Sequence, residues 1–290
     1  MARHIVCLTF DYDAISGWIA RGFTTPTPVS RGEFGVVGAS RVLALLREFD
    51  IHATWFVPGH TIETYRDSCV EIVEAGHEIG HHGYAHEAPA NLDRAQEDAV
   101  LARGNALIKD LTGAPARGYR SPSWDLSPDS VELLLQHGMT YDSSMMADDY
   151  TPYRVRQGDI IPADTPPRFG RLTPLIEMPV SWNLDDVPHF EYVRYENKLL
   201  AGMQRTSHVL DNWLDEFDYM RETTDWGVLT YTFHPQVIGR GYRMIMLKRL
   251  IERLLDRGAV FHRMDAAAAE FDRRAPSEAV DGVATSTVDK

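Results

Sequence analysis

The stretch IVCLTFDYD, residues 5–13, begins as an apolar run and ends in two carboxylates, Asp11 and Asp13. A short continuous apolar run rich in β-branched and aromatic residues is typical of a strand buried in a parallel sheet. The stretch therefore predicts a buried first strand that carries two acidic side chains at its carboxyl end.

The rest of the chain alternates strand-like and helical segments about seven times, which favours a parallel sheet in a (β/α) barrel. One domain is expected over residues 1–274, because no linker or internal repeat divides it. Residues 275–290 are rich in Ala, Ser, Thr, Asp and Gly, and this composition predicts a flexible tail. Further strands are predicted at residues 53–57, 77–80, 117–120, 175–182, 228–233 and 259–262.

Several segments between these strands have local signals of their own. Residues 14–34 and 144–174 are predicted to be irregular because they are rich in glycine, proline or both. Ser127 and Pro128 predict a helix start, with serine as the N-cap. Residues 195–222 have a largely helical pattern.

Composition narrows the function classes. The 290 residues are 44% hydrophobic, enough for a sizeable core, and the net charge is −13 without a Lys/Arg block. Binding to nucleic acid or to an anionic membrane is therefore not expected. Cys7 and Cys69 do not indicate a disulfide framework. With no signal-peptide pattern and no apolar run of about 18 residues, a cytoplasmic protein is predicted.

Four imidazoles lie within HEIGHHGYAH, residues 77–86. His82 and His86 are four residues apart, a spacing that converges on one metal ion in a helix or tight turn, although alone it is a weak signal. Together with Asp13 they form a candidate site for zinc or a similar divalent cation with open coordination positions. Asp11 is then left as a nearby carboxylate, which suits hydrolysis by activated water.

Two further polar residues follow predicted strands. Arg120 would hold Asp11 ionised if it faced that carboxylate, and otherwise would form a surface ion pair. His234 is a candidate general acid for a departing amine, or else a core histidine. In barrels the catalytic groups gather at the carboxyl ends of the strands, and these residues share that placement.

The aromatic and acidic residues near these positions are less specific. Trp124 and Trp182 are candidates for a pocket wall, although aromatic residues more often belong to the core. Asp185 and Asp186 either contact substrate or cap a turn, and the turn is the favoured interpretation.

Together these motifs resemble the polysaccharide deacetylase family, the NodB-homology carbohydrate esterases. Residues 9–13, TFDYD, stand where the family usually has TFDDG, and residues 76–86 match its second motif closely. Arg120-Ser121-Pro122 looks like the third motif, and Phe233-His234 looks like the last. The resemblance implies a distorted (β/α)7-type barrel.

The resemblance also implies roles for individual residues. Asp13, His82 and His86 would hold a divalent metal, most often zinc. Asp11 would act as base, with Arg120 orienting it, and His234 would act as acid. Tyr84, Ser123, Trp124 and Trp182 are predicted to contact substrate.

The chain departs from the family where an Asp-Trp motif is expected, since residues 142–146 read DSSMM. This departure, with the Asp-x-Asp form of the first motif, resembles an intracellular branch. That branch includes peptidoglycan-deacetylase-like, allantoinase-like and cyclic-imide-hydrolase proteins. Its members tend to form tetramers, so a homo-oligomer is expected.

The sequence thus predicts a metal-dependent hydrolase of carbon–nitrogen bonds outside peptides, acting on a small molecule or oligosaccharide. An N-acetylated amino sugar is the first candidate substrate, which would place the protein in carbohydrate metabolism. A cyclic imide or ureide is the alternative. A catalytically silent metal-binding scaffold is the alternative of another class.

Overall fold

The computed structural model of the chain describes residues 2–194 and 199–276. The strands are β1 (Arg3–Asp11), β2 (Thr54–Val57), β3 (Glu78–His81), β4 (Gly118–Tyr119), β5 (Tyr141–Asp142), β6 (Tyr153–Gln157), β7 (Arg171–Glu177), β8 (Tyr192–Arg194), β9 (Leu199–Ala201), β10 (Trp226–Phe233) and β11 (Val260–Phe261). The helices are α1 (Ser16–Ile19), α2 (Pro26–Glu48), α3 (Gly59–Thr64), α4 (Arg66–Glu74), α5 (Arg94–Thr112), α6 (Ser130–Gln136), α7 (Asp186–Phe190), α8 (Thr206–Thr223), α9 (Pro235–Ile238), α10 (Gly241–Asp256) and α11 (Met264–Arg274). The tail predicted for residues 275–290 lies outside the described residues from 277 onward.

Eight strands of the described chain pair in parallel: seven follow the order β10-β1-β2-β3-β4-β5-β7, and β11 pairs with β1. β6 lies antiparallel to β7 at one edge. Loop segments connect the two edges: Val228 donates to the carbonyl of Tyr150 at 2.8 Å, and Asp185 forms a parallel bridge with Thr232. The α/β class and the distorted seven-stranded barrel predicted from sequence are confirmed.

The first strand is buried along almost its whole length, as its apolar run predicts. Val6 and Phe10 belong to the larger core, which packs between the sheet and its helices. Ile5 and Cys7 point the other way, into a second core closed by α11. Because side chains alternate along a strand, Asp11 continues the face of Ile5 and Cys7 and points into the barrel.

The prediction of a loop over residues 14–34 is wrong, because α1 and the first turns of α2 lie there. Pro26 begins α2, and proline is accommodated at a first helical position since its missing N–H would have no partner. Gly38 permits close packing, as a Cβ there would lie 1.9 Å from the carbonyl oxygen of Pro235 in α9. Pro26, which indicated a loop, therefore lies at a helix start, and the glycine that follows within α2 is a packing position.

Three other boundaries differ from the prediction. Residues 144–174 contain β6 and the start of β7, and Pro174 lies where the pairing of these strands shifts register, a location that suits a residue without an N–H donor. α6 begins at Ser130, because the Ser127 hydroxyl instead accepts from the N–H of Asp129 and donates to Glu97.

The helix predicted for residues 195–222 begins only at Thr206, because β8 and β9 form a small antiparallel pair ahead of it. Residues 195–198 lie outside the described residues. No helix in the described ranges is long and apolar enough to cross a membrane.

Candidate active site

The polar residues singled out in the sequence converge at the carboxyl ends of neighbouring strands. β1 delivers Asp11, β3 leads directly into His82, β4 into Arg120 and β10 into His234. All of these side chains are at least nine-tenths buried. Asp11, His82 and His234 line one cavity of about 110 Å³ together with Asp13, whereas Arg120 lies behind Asp11. Parallel strands therefore bring together residues far apart in the sequence.

Asp13, His82 and His86 form the first cluster of this site. The Nε2 atom of His82 lies 3.4 Å from Oδ1 of Asp13, and Nε2 of His86 lies 3.6 Å from Oδ2. Asp13 Oδ1 and His82 Nε2 are buried without a hydrogen-bond partner. Unpartnered buried polar atoms are costly unless something else satisfies them.

The orientation of His82 leaves its lone pair available. Its Nδ1 lies 2.7 Å from the carbonyl oxygen of Arg120, so a proton on Nδ1 donates to that oxygen. The Nε2 lone pair then faces the carboxylate of Asp13, as in metal-binding imidazoles held by a backbone carbonyl. The three donor atoms of Asp13, His82 and His86 lie within 4.8 Å of one another. This donor set fits a divalent cation such as zinc.

A tight turn rather than a helix places the two imidazoles together. After β3 the chain passes through left-handed backbone conformations at Gly83 and His86, with φ of 69° and 64°. The carboxylate of Glu87 accepts from the N–H groups of Tyr84 and Ala85 and stabilises this turn. The rings of His82 and His86 are 5.1 Å apart and nearly perpendicular.

The electrostatics of the cluster favour an ionised Asp13. Burial by itself raises the pKa of this carboxyl, but His86, His82 and His234 outweigh burial and lower the pKa below its usual range. The ionised carboxylate and two imidazole lone pairs are the ligand types that zinc binds.

Arg120 and Asp11 form a buried ion pair beside this cluster. Nη1 of Arg120 donates to Oδ1 of Asp11 at 2.8 Å and to the hydroxyl of Thr9 at the same distance. Nε and Nη2 of Arg120 donate to the carbonyl and hydroxyl of Ser143. The guanidinium also lies 4.3 Å above the ring of Phe56. With these partners, the fully buried arginine is held in one orientation against Asp11.

His234 occupies the other side of the cavity and is held by two carboxylates. Its Nδ1 lies 2.8 Å from Oδ1 of Asp186, which also accepts from the His234 backbone N–H. Burial lowers the pKa of His234, but Asp185 and Asp186 outweigh burial and raise the pKa to about 10. Its Nε2 lies 3.8 Å from Oδ2 of Asp13. His234 is thus a protonated donor that faces the cavity.

Asp185 and Asp186 differ in role, and only Asp185 has the capping role that the sequence favoured for both. Asp185 does cap the start of α7 by accepting from the N–H of Val187 at 2.7 Å. Burial raises the pKa of Asp185 to about 7, despite the neighbouring charge of His234. Asp186 instead binds His234, so a turn does not account for it.

Three of the four predicted substrate contacts line the cavity: Ser123, Trp124 and Trp182. The rings of Trp124 and Trp182 stack with centroids 4.2 Å apart. Trp124 is 9% exposed and Trp182 is 45% exposed, so the stack runs from the interior to the mouth. Ser123 and Trp124 both have positive φ, which turns this segment toward the cavity.

Tyr84 is placed differently from the prediction. Its hydroxyl donates to Glu63 at 2.6 Å, and the guanidinium of Arg103 lies 3.4 Å from the ring centroid. Tyr84 is not among the residues that line the cavity in the described chain.

Sequence reasoning missed Thr9, Ser143 and the pairing of Asp186 with His234. Thr9 could have been found, because it shares the strand face of Asp11. The part played by Ser143 depends on the approach of β5 to Arg120, for which the local sequence has no signal.

The model of the family described as polysaccharide deacetylase matches residues 2–141. A peptidoglycan deacetylase of Helicobacter pylori is 39% identical over 268 residues, which cover 88% of this chain and 91% of that protein. The chain belongs to the polysaccharide deacetylase family. The relatives support a hydrolytic enzyme, and the resemblance seen in the sequence motifs is confirmed.

Solved structures agree with this family. A Mycobacterium smegmatis protein assigned as a polysaccharide deacetylase has a TM-score of 0.81 at 29% identity and covers 94% of this chain and 91% of its own. The PuuE allantoinase has a TM-score of 0.77 at 21% identity, covering 95% of this chain and 92% of its own, and shows the fold alone.

Proposed function

We propose that the protein is a divalent-metal-dependent hydrolase that removes the acetyl group from an N-acetylated amino sugar. The observation that carries the proposal is that three groups of polar side chains surround one buried cavity. A carboxylate paired with arginine, Asp11, lies on one side, and a histidine held by carboxylates, His234, lies on the other. Between them are the donor atoms of Asp13, His82 and His86.

Asp13, His82 and His86 would hold the cation, because their donor atoms converge and two of them have no other partner. A zinc ion or similar cation bound there supplies Lewis acidity toward an amide carbonyl and toward water. Holding it also requires deprotonated ligands, which matches the lowered pKa of Asp13.

Asp11 would act as the general base. It accepts the proton of the attacking water as the water oxygen bonds to the amide carbon. Arg120 contributes through Asp11: its fixed guanidinium donates to one carboxylate oxygen and holds the other toward the cavity. The N–H groups near Ser123 are the proposed donors for the oxyanion that develops.

His234 would act as the general acid. Its Nδ1 is occupied by Asp186, so the proton on Nε2 is the one that faces the cavity. That proton passes to the nitrogen as the carbon–nitrogen bond breaks, which releases a neutral amine and acetic acid. The acid then loses its proton to solvent, and exchange with solvent returns the proton of Asp11 and reprotonates His234. Asp186 stabilises the charged imidazole before transfer and fixes its ring.

The cavity suits the acetamido group rather than a whole sugar chain. A volume of about 110 Å³ is smaller than typical small-molecule pockets of about 300–1,000 Å³. The sugar ring would therefore lie at the mouth, where Trp182 exposes its ring. Faces of sugar rings pack well against such aromatic surfaces.

The same small volume favours one alternative substrate, a cyclic imide or ureide that enters the cavity entirely. Ring opening would use the same base and acid, because an amide bond is hydrolysed in both cases.

A silent metal-binding scaffold is the candidate of another class, and the intact Asp11–Arg120 and His234–Asp186 pairs argue against it. The cytoplasmic location and the homo-oligomer, including a tetramer, stay predictions.

Mass spectrometry of a mixed pool of substrates tests the proposal. The pool contains N-acetylated amino-sugar oligomers together with cyclic imides and ureides, and the enzyme is loaded with zinc. Loss of an acetyl mass from the sugars supports deacetylation, whereas gain of one water by a ring compound supports the alternative. No change in any compound, with metal bound and the fold intact, would favour the scaffold. The Asp11→Asn protein, loaded in the same way, is the control for uncatalysed loss.

A further inference from the structure

A second cavity, of about 310 Å³, adjoins the reactive cavity. Glu191 and Gln236 line both, so the two cavities share a wall. Arg31, Arg240 and Arg243 line the second cavity and are called the arginine pocket below. Three guanidinium groups around one space are unexpected in a chain whose net charge is −13.

The positive charge of the arginine pocket is only partly balanced. Arg31 pairs with Glu191, donates to the carbonyl of Tyr192 and lies over the ring of Trp18. Arg243 donates to the carbonyls of Val237 and Phe190 at 2.9 and 2.8 Å and to the hydroxyl of Tyr242 at 2.9 Å. These neutral groups orient the Arg243 guanidinium, and no carboxylate of the described residues forms a salt bridge with it.

Arg240 is the arginine of this pocket whose charge is least balanced by its neighbours. Its guanidinium lies 3.4 Å from the centroid of Phe34, which fixes its plane. Within residues 2–194 and 199–276 it has no carboxylate partner. Burial and neighbouring guanidiniums lower the pKa of both Arg240 and Arg31, a sign that these charges repel one another.

We propose that the arginine pocket binds an oxyanion, a phosphate or a carboxylate, carried by the same substrate whose amide occupies the reactive cavity. The amide half of this inference rests on the proposed deacetylase function. Planar guanidinium groups match the paired oxygens of both anions. The substrate class is thereby narrowed to acidic N-acetylated sugars or acidic ring amides.

The placement of the two cavities supports one ligand spanning both. Glu191 lies between them and is paired with Arg31, so a ligand that reaches from one cavity to the other does not meet an unpaired negative charge there. Tyr192 and Tyr242 line the arginine pocket and are 41% and 54% exposed. Their rings offer surfaces for the body of a ligand whose anionic group is bound beside them.

Calorimetric titration tests anion binding without any need for turnover. Inorganic phosphate and malonate serve as probes of the two anion types, with the full-length, metal-loaded chain. Arg240→Gln should weaken binding of the favoured probe about tenfold, because one charge-assisted contact is lost. Arg240→Lys keeps the charge but not the planar fork and should fall between. Arg249→Gln, at an exposed site in α10, the helix that begins directly after Arg240, should bind as the wild type does.

The result that overturns the proposal is equal binding by Arg240→Gln and Arg249→Gln, or no binding by the wild type. Thermal unfolding of each variant shows whether weaker anion binding comes from misfolding. If Arg240→Gln is misfolded, the comparison of Arg240→Lys with Arg249→Gln decides whether Arg240 binds the anion. Anions that bind at the metal would bind equally to all variants, so only the part sensitive to Arg240 counts.

Kinetics then connect the pocket to the reaction and separate the two anions. N-acetylglucosamine 1-phosphate, N-acetylmuramic acid and neutral N-acetylglucosamine are compared. The ratio of kcat/KM for the favoured acidic sugar to that for the neutral sugar should fall about tenfold in Arg240→Gln and stay constant in Arg249→Gln. A ratio that Arg240→Gln leaves unchanged contradicts a shared substrate. If no sugar reacts with any variant, the deacetylase proposal fails while calorimetry still decides the pocket.

Discussion

Two clusters in this molecule combine histidine with carboxylates and differ in how their polar atoms are used. The first consists of Asp13, His82 and His86, and the second of Asp185, Asp186 and His234. In the first, the nearest nitrogen–oxygen approaches are 3.4 and 3.6 Å, and two buried atoms have no partner.

The carboxylates of the second cluster already have hydrogen-bond partners in the protein. Asp186 accepts from both the ring and the backbone of His234, and Asp185 accepts from the N–H of Val187. Residue type alone would make either cluster a metal site. The two clusters differ in whether their polar atoms have hydrogen-bond partners. Atoms without a partner, as in the first cluster, are available to bind a cation, whereas the hydrogen-bonded carboxylates of the second cluster orient a catalytic side chain.

The first cluster should lose its metal when one ligand is changed. His82→Gln is expected to reduce bound zinc to background and to lower kcat/KM about a thousandfold, since a catalytic metal contributes several kcal/mol. Elemental analysis of purified protein gives the zinc content. His137→Gln, which alters only a histidine paired with Asp98 near the surface, should keep full occupancy. Normal zinc in His82→Gln would break the distinction between the clusters.

Asp11 should affect turnover without affecting metal content. Asp11→Asn is expected to lower kcat by about 10² to 10⁴, the range for loss of a general base. It should also reduce the free energy of unfolding by about 3–5 kcal/mol, because Arg120 is left as a buried charge without its counter-ion. Urea unfolding and zinc analysis are measured on the same preparation.

Asp125→Asn, at an exposed position, is the matched control for that substitution and should change neither quantity. Retained turnover in Asp11→Asn with zinc bound would show that another group removes the proton.

The second cluster should resemble Asp11 rather than His82 in its response. Asp186→Asn removes the charge that orients His234, and kcat is expected to fall about a hundredfold while zinc stays bound. Steady-state kinetics and elemental analysis check both parts. If Asp186→Asn loses zinc as His82→Gln does, the two clusters act as one site and the comparison fails.

The smallest effects are expected at the mouth of the cavity. Trp182→Ala should raise KM by up to about tenfold, the equivalent of one aromatic packing contact, with little change in kcat. Tyr84→Phe should change KM less than about twofold, because its hydroxyl binds Glu63 outside the cavity. A larger change in KM for Tyr84→Phe than for Trp182→Ala would restore the contact predicted from sequence.

The strands could be predicted because their apolar runs are short, continuous and followed by polar residues. Asp11, Asp13, His82 and His86 could be singled out for the same reason, since each follows a strand. The first turns of helix α2 were missed because Pro26 and Gly32 carry the signals of a loop. Pro26 is compatible with the first helical turn, and Gly32 allows close contact with the backbone of Ala14.

The distinction between Asp185 and Asp186 was beyond the reach of the sequence. Both follow the same tryptophan, and either could cap a turn. Only the approach of β10 decides which one meets His234, because that contact joins residues 48 positions apart. Likewise Ser143 holds Arg120 through a sheet pairing that has no local pattern.

The bridge between Asp185 and Thr232 closes the barrel directly beside Asp186, which holds the proposed acid. The seam of the barrel and part of its chemistry are therefore one piece of structure. Opening this seam would displace Asp186 from His234 while the two hydrophobic cores stay packed, so heat or denaturant should abolish activity before the protein unfolds globally. Hydrogen exchange at the amide of His234 would follow that local opening directly. The temperature at which activity is lost should therefore lie below the temperature at which the fold is lost.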